Sequence, residues 1–88
     1  MAKIEIYTAL LCPFCTRAVR LLKSKELAFQ QIDVTADYDL RQKMTKRAEG
    51  RTSVPQIFID DLPIGGCDEL HALERSGQLD SLLGGVRG

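Results

Sequence analysis

The sequence contains one pair of cysteines spaced for redox chemistry, Cys12 and Cys15, with Pro13 and Phe14 between them. If a helix begins at Pro13, its first backbone N–H groups lack partners within the helix. These groups and the helix dipole then favour the thiolate form of Cys12, which is the nucleophile of disulfide exchange. Cys15 lies one turn further along, where its thiol can attack a mixed disulfide on Cys12. The spacing therefore predicts an exposed nucleophile and a more buried resolving thiol.

The same two cysteines could instead form half of a zinc site. The second half would be Cys67 and His71, but Cys15 and Cys67 are much further apart than the ligand pairs of finger-type sites. Pro13 suits the first position of a helix, and the residues after it are amphipathic. These features favour the redox interpretation, so we predict no metal site.

Composition excludes several other classes of protein. Twelve basic residues balance twelve acidic ones among 88 residues, whereas nucleic-acid-binding proteins usually carry an excess of Lys and Arg. The apolar stretches are far shorter than the roughly 20 residues that span a bilayer. Lys3 and Glu5 interrupt the segment where a secretory signal would be apolar, and the cysteine count is odd. We therefore expect a cytoplasmic domain with neither nucleic-acid nor membrane partners.

Hydrophobic periodicity predicts four strands and three helices, followed by one or two helical turns. The predicted strands cover residues 3–8, 29–34, 55–59 and 62–64, and the predicted helices run from Pro13 to about Lys25, from Asp39 to Ala48, and from a cap at Asp68 to Gly77. The order β-α-β-α-β-β-α predicts an α/β domain over residues 1–83. It combines a parallel βαβ unit and an antiparallel hairpin in one mixed sheet with helices on both faces. Residues 84–88 are predicted to be a disordered tail.

Two further segments could bind a ligand. Ser53-Val54-Pro55 precedes the third strand. We predict that the Val54–Pro55 bond is cis, which would turn the backbone of Val54 outward to pair with an extended peptide. Pro55 could also be a simple edge device. Gly66-Cys67-Asp68 begins the third helix, where free N–H groups can bind a carboxylate.

Four motifs in register resemble a dithiol glutaredoxin over nearly all of residues 3–83. They are Ile-Tyr-Thr at 6–8, Cys-Pro-Phe-Cys at 12–15, Ser-Val-Pro-Gln-Ile-Phe-Ile at 53–59, and Ile-Gly-Gly-Cys-Asp at 64–68. The chain most resembles the short bacterial members that have a third cysteine. The resemblance implies a thioredoxin-like fold, and we expect a monomer with no tightly bound cofactor. It also implies that glutathione is the co-substrate in reducing protein disulfides and glutathionylated proteins.

The resemblance also implies a role for each matching residue. Cys12 would be the nucleophile and Cys15 the resolving thiol. The implied glutathione-binding residues are Phe14, Arg41, Gln42, Ser53, Val54, Pro55, Gly66, Cys67 and Asp68. Val54 would pair with the glutathione backbone, Asp68 would face its ammonium group, and Arg41 or Gln42 would meet its glycine carboxylate.

The chain departs from the family at Ala9, where a Lys is usual, and more mildly at Ser53, where Thr is commoner. The missing Lys removes a cation that normally helps to hold the thiolate and a glutathione carboxylate. We interpret Cys67 as a small apolar filler and His71 as a solvated surface residue. A basic group is interpreted as a solvated face that would attract anionic glutathione. Its members are Lys43, Lys46, Arg47 and Arg51.

Two alternatives belong to other functional classes. One is an iron–sulfur carrier, with Cys12 and glutathione holding a cluster between two subunits. Glutaredoxin relatives of that kind usually keep a single active-site cysteine before Gly, whereas this chain has Pro13 and Cys15. The other is a thioredoxin, which commonly has Trp beside the cysteine pair, and this chain contains no Trp.

Overall fold

The computed structural model describes residues 2–84, so apart from Gly84 the predicted disordered tail lies outside the described residues. Its sheet contains β1 (Ile4–Thr8), β2 (Gln30–Asp33), β3 (Gln56–Ile59) and β4 (Leu62–Gly65). The strand order is β2-β1-β3-β4. β1 pairs in parallel with β2 and antiparallel with β3, and β4 pairs antiparallel with β3. The predicted βαβ unit and hairpin are therefore confirmed.

Four helices complete the fold of residues 2–84: α1 (Pro13–Ser24), α2 (Tyr38–Arg47), α3 (Cys67–Ser76) and α4 (Gln78–Leu82). The prediction that Asp68 caps α3 is wrong, because the cap is Gly66 and Asp68 lies in the first turn. The helix begins earlier because the carboxylate of Glu69 accepts a hydrogen bond from the Gly66 N–H at 2.7 Å. Within residues 2–84, none of the helices combines the length and apolar character needed to cross a bilayer.

The helices pack on both faces of the sheet, as predicted. Ile4 and Ile6 of β1 contribute to a core that also contains residues of α1, α3 and α4. Tyr7 of β1 points to the opposite face and contributes to a second core that includes Met44 of α2. Because side chains alternate along a strand, one short strand contributes to both cores. Burial of both faces also encloses Glu5, although the alternating pattern is typical of a strand with one solvated face.

Arg47 shows how the fold accommodates Glu5. Its guanidinium lies 2.8 Å from the Glu5 carboxylate, donates to the Tyr7 hydroxyl at 2.9 Å, and stacks 4.2 Å from the centre of the Phe58 ring. The hydrogen bonds from Arg47 lower the pKa of Glu5, and the same contact raises the pKa of Arg47. The interpretation of Arg47 as part of a solvated basic face is therefore wrong, because α2 packs this side chain against the sheet.

Candidate active site

Cys12 lies at the point where the loop after β1 enters α1, and it is the N-cap residue of the helix. Its sulfur accepts a hydrogen bond from the backbone N–H of Cys15 at 3.1 Å. Pro13 occupies the first helical position, as the sequence predicted. An N–H group that has no partner within the helix therefore donates to the Cys12 sulfur.

The two thiols differ in accessibility. Cys12 is half-buried, whereas Cys15 is only 4% exposed. Burial, together with a hydrogen bond to Cys12, raises the pKa of Cys15 to about 12, while a backbone contact from Ala9 opposes this rise. At neutral pH the accessible sulfur is thus next to a buried, protonated thiol, which is the arrangement that a nucleophile and a resolving cysteine require.

An open groove of about 210 Å³ runs beside Phe14 between the loop before β3 and the start of α3. Its lining residues are Phe14, Ser53, Val54, Pro55, Gly66, Cys67, Asp68 and Glu69. The Val54–Pro55 bond is cis, as predicted. The Val54 carbonyl oxygen lies 3.8 Å from the Cys12 sulfur. The amide of Gln56 donates to the Ser53 carbonyl at 3.0 Å and steadies this loop. The groove thus lies beside the nucleophile and is bounded by the backbone of Val54 and by a helix start.

Seven of the nine residues predicted to bind glutathione line this groove, and Arg41 and Gln42 do not. Arg41 donates to the Thr52 carbonyl at 2.9 Å, and Gln42 donates to the Tyr38 hydroxyl. These residues line a neighbouring cavity of about 170 Å³. Thr52 directly precedes Ser53, so Arg41 is anchored next to the groove rather than inside it. Helical periodicity places Arg41 on α2 but does not show where α2 packs.

Glu69 lines the groove, although the sequence interpretation missed it. Its carboxylate holds the Gly66 N–H and lies 3.8 Å from the Arg51 guanidinium. An acidic residue three positions after a helix cap is a recognised capping pattern, and this signal could have identified Glu69. The groove therefore has an acidic wall at Asp68 and Glu69, with Arg51 beside it.

Cys67 and His71 both lie on the side of α3 that faces the protein. Cys67 is 4% exposed, and burial raises the pKa of its thiol, although the nearby Arg17 charge opposes this effect. The prediction that His71 is solvated is wrong, because its Nε2 atom is buried without a hydrogen-bond partner among the described residues. Residues four apart share one helix face, so His71 follows Cys67 inward. Within residues 2–84, no three His, Cys, Asp or Glu residues form a group that could hold a metal ion.

Comparison with known proteins identifies the family. The glutaredoxin family model matches residues 4–64. Glutaredoxin 3 of Escherichia coli K12 is 53% identical over 83 residues, which cover 94% of this chain and 99% of the relative. A glutaredoxin of Pseudomonas aeruginosa is 48% identical, with 94% and 98% covered. The chain belongs to the glutaredoxin family.

The solution structure of a glutaredoxin from Brucella melitensis has the same fold. It superposes with a TM-score of 0.82 at 49% identity, covering 94% of this chain and 89% of that one. The predicted thioredoxin-like fold is therefore confirmed, and this glutaredoxin is a thiol–disulfide oxidoreductase. The family match also decides against the thioredoxin alternative. The roles of the individual groove residues stay predictions.

Proposed function

We propose that this glutaredoxin takes electrons from glutathione and reduces glutathionylated proteins and protein disulfides through Cys12 and Cys15. The observation that carries the proposal is the groove between Val54 and the start of α3, because the Val54 carbonyl oxygen lies 3.8 Å from the Cys12 sulfur. Glutathione is a short extended peptide with a central thiol and charged ends. The groove offers chemistry for each of these features.

The groove supports one contact for each part of glutathione. The backbone of Val54 would pair with the peptide as an added strand. The N–H groups at the start of α3 would hold the γ-glutamyl carboxylate, while the exposed carboxylate of Asp68 would face the ammonium group. Arg41 would reach the glycine carboxylate with donors that its bond to Thr52 leaves free. Gln42 would support Arg41 from the same cavity.

The proposed reaction begins when the Cys12 thiolate attacks the glutathione sulfur of a glutathionylated protein. A Cys12–glutathione disulfide forms, the original disulfide breaks, and the protein leaves as a thiolate that takes up a proton. A second glutathione thiolate then attacks the mixed disulfide, releases glutathione disulfide and restores Cys12. One free glutathione is therefore consumed for each protein thiol released, and the glutathione taken from the protein becomes the other half of the glutathione disulfide.

Protein disulfides would follow the two-thiol route. Cys12 forms a mixed disulfide with the protein, and Cys15 then attacks it to give a Cys12–Cys15 disulfide and a reduced protein. Burial holds the pKa of Cys15 at about 12, so this thiol must pass its proton to the leaving thiolate as it attacks. Two glutathione molecules then reduce the Cys12–Cys15 disulfide.

The electron donor is the decisive test. The protein is supplied with a disulfide substrate and NADPH, together with either glutathione and glutathione reductase or thioredoxin reductase. We expect NADPH oxidation with the glutathione system alone, and no turnover by Cys12→Ser. Equal or faster turnover with thioredoxin reductase would contradict the proposal. Cytoplasmic location and a monomeric state stay predictions, which fractionation and sedimentation can test.

A further inference from the structure

Large apolar side chains that stand in solvent are concentrated beside the nucleophile. Leu11 is 100% exposed, Leu10 is 70% exposed and Phe14 is 53% exposed. Among the described residues, the only other exposed large apolar side chains are those of Tyr38 and Leu62. Three of the five therefore fall within two positions of Cys12. Clusters of exposed apolar side chains on a small soluble protein commonly mark interaction sites.

Leu11 occupies a backbone conformation that does not suit it. Its φ of +54° lies in the left-handed region, which Gly and Asn adopt more readily than a residue with a branched side chain. Its side chain also gains no burial. Neither packing nor local backbone preference therefore explains a leucine at this position, and strain of this kind is commonly retained at functional sites.

The loop that carries the leucine pair (Leu10 and Leu11) is fixed in place. The backbone N–H of Leu10 donates to the Thr35 hydroxyl at 2.8 Å, and the Thr35 N–H donates to the Asp33 carboxylate at 2.7 Å. The loop before α1 is thereby tied to the end of β2. The leucine pair is a held surface beside Cys12 rather than a loose tip.

The leucine pair does not line the groove that is proposed to hold glutathione. A protein substrate differs from glutathione in that chain continues on both sides of its reacting cysteine. In the two-thiol route its sulfur bonds to Cys12, and in the removal of glutathione its sulfur is the leaving group, aligned with the attacking Cys12 sulfur. In both routes the neighbouring substrate residues pass over the surface next to Cys12. Leu11 directly precedes Cys12 in the chain, so these substrate residues meet the leucine pair.

We propose that the leucine pair is a docking surface for protein substrates and favours reactive cysteines flanked by apolar side chains. This inference rests on the proposed function and names its substrate class. The covalent steps stay those given above, and the leucine pair only holds the substrate before Cys12 attacks. Burial of one exposed leucine against an apolar residue is worth roughly threefold to tenfold in kcat/KM when burial is partial.

Two glutathionylated peptides test the proposal, one with Leu and one with Ser on each side of the modified cysteine. The cysteine–glutathione disulfide serves as a small substrate without flanking residues. We expect the wild type to prefer the Leu peptide by roughly threefold to tenfold, and Leu11→Asn to remove most of this preference. Leu62→Asn, which alters an exposed leucine on β4, is the matched control and should keep the preference.

The outcomes separate the inference from the proposed function. Equal kcat/KM for the two peptides in the wild type, or an unchanged preference in Leu11→Asn, would overturn the docking surface. If the wild type also failed to turn over cysteine–glutathione, the proposed function itself would fail. Thermal unfolding excludes a trivial explanation, because Asn suits the positive φ and the midpoint should not fall. A lower midpoint with an equal loss on all three substrates would also count against docking.

Discussion

Glu5 and Cys15 are both ionisable and both buried, yet their pKa values shift in opposite directions. Glu5 lies on the α2 side of the sheet, where hydrogen bonds from Arg47 lower its pKa. Cys15 lies at the start of α1, where burial raises its pKa to about 12. The contrast shows that a buried group with a counterion contributes to the fold as a charge. One without a counterion stays neutral until a reaction removes its proton.

The largest expected effect concerns the two thiols. Cys12→Ser should lose on the order of 100-fold or more of all disulfide exchange, because no other accessible sulfur lies at the groove. Cys15→Ser should keep removal of glutathione from proteins but lose the two-thiol reduction of protein disulfides. Assays of one substrate of each kind, on both variants, check this division. An equal loss of deglutathionylation in the two variants would show that Cys15 is not merely the resolving thiol.

Removing Arg47, the main counterion of Glu5, should make Glu5 resemble Cys15, which is buried without a counterion. Arg47→Met should lower the free energy of unfolding by about 2–4 kcal/mol. The buried Glu5 carboxylate would keep only the exposed Lys3 ammonium group, which lies 4.0 Å away. Urea unfolding at pH 7 measures the change. The double variant Glu5→Gln with Arg47→Met should recover part of the loss. Asp61→Asn removes only the exposed carboxylate that lies 3.2 Å from Arg47. It should lower the free energy of unfolding by less than about 1 kcal/mol.

At alkaline pH, the stability of the fold should depend on the protonation of Cys15. Its folded pKa is about 12 against 9.0 for an ordinary thiol, so the unfolded chain loses this proton first as the pH rises. The contribution of Cys15 is therefore complete below pH 9 and is lost as the pH rises towards 12. Unfolding of the wild type and Cys15→Ala across this range should show a smaller alkaline loss in the variant. Parallel curves would mean that burial does not hold the thiol neutral.

A smaller effect should follow from adding the missing cation near Cys12. Ala9 precedes the leucine pair, and its backbone contacts Cys15. A Lys at this position could bring its ammonium group close to the Cys12 sulfur. Ala9→Lys should raise the rate of Cys12 alkylation at pH 6 about threefold and strengthen glutathione binding. Ala9→Met, of similar length without charge, should leave the rate near the wild-type value. If both variants react alike, charge at this position does not activate Cys12.

Sequence reasoning was most successful where a feature depends on near neighbours in the chain. Pro13 and the helical spacing after it placed Cys12 at the start of α1, and Val54–Pro55 was predicted to be cis. It was less successful where one helix meets another element. His71 was interpreted as solvated because its neighbours in sequence are polar, yet the packing of α3 buries its Nε2 atom.

The sequence by itself determined the cysteine pair at a helix start, the order of strands and helices, and the mixed sheet. Hydrophobic period and turn residues are local signals, and they act before any two distant segments meet. Only the tertiary structure decided that Arg47 is held against Glu5 and that Arg41 lies beside the groove. It also decided that Leu11 stays in solvent. These outcomes depend on which surfaces become neighbours, because burial and charge pairing are properties of the packed chain rather than of any one segment.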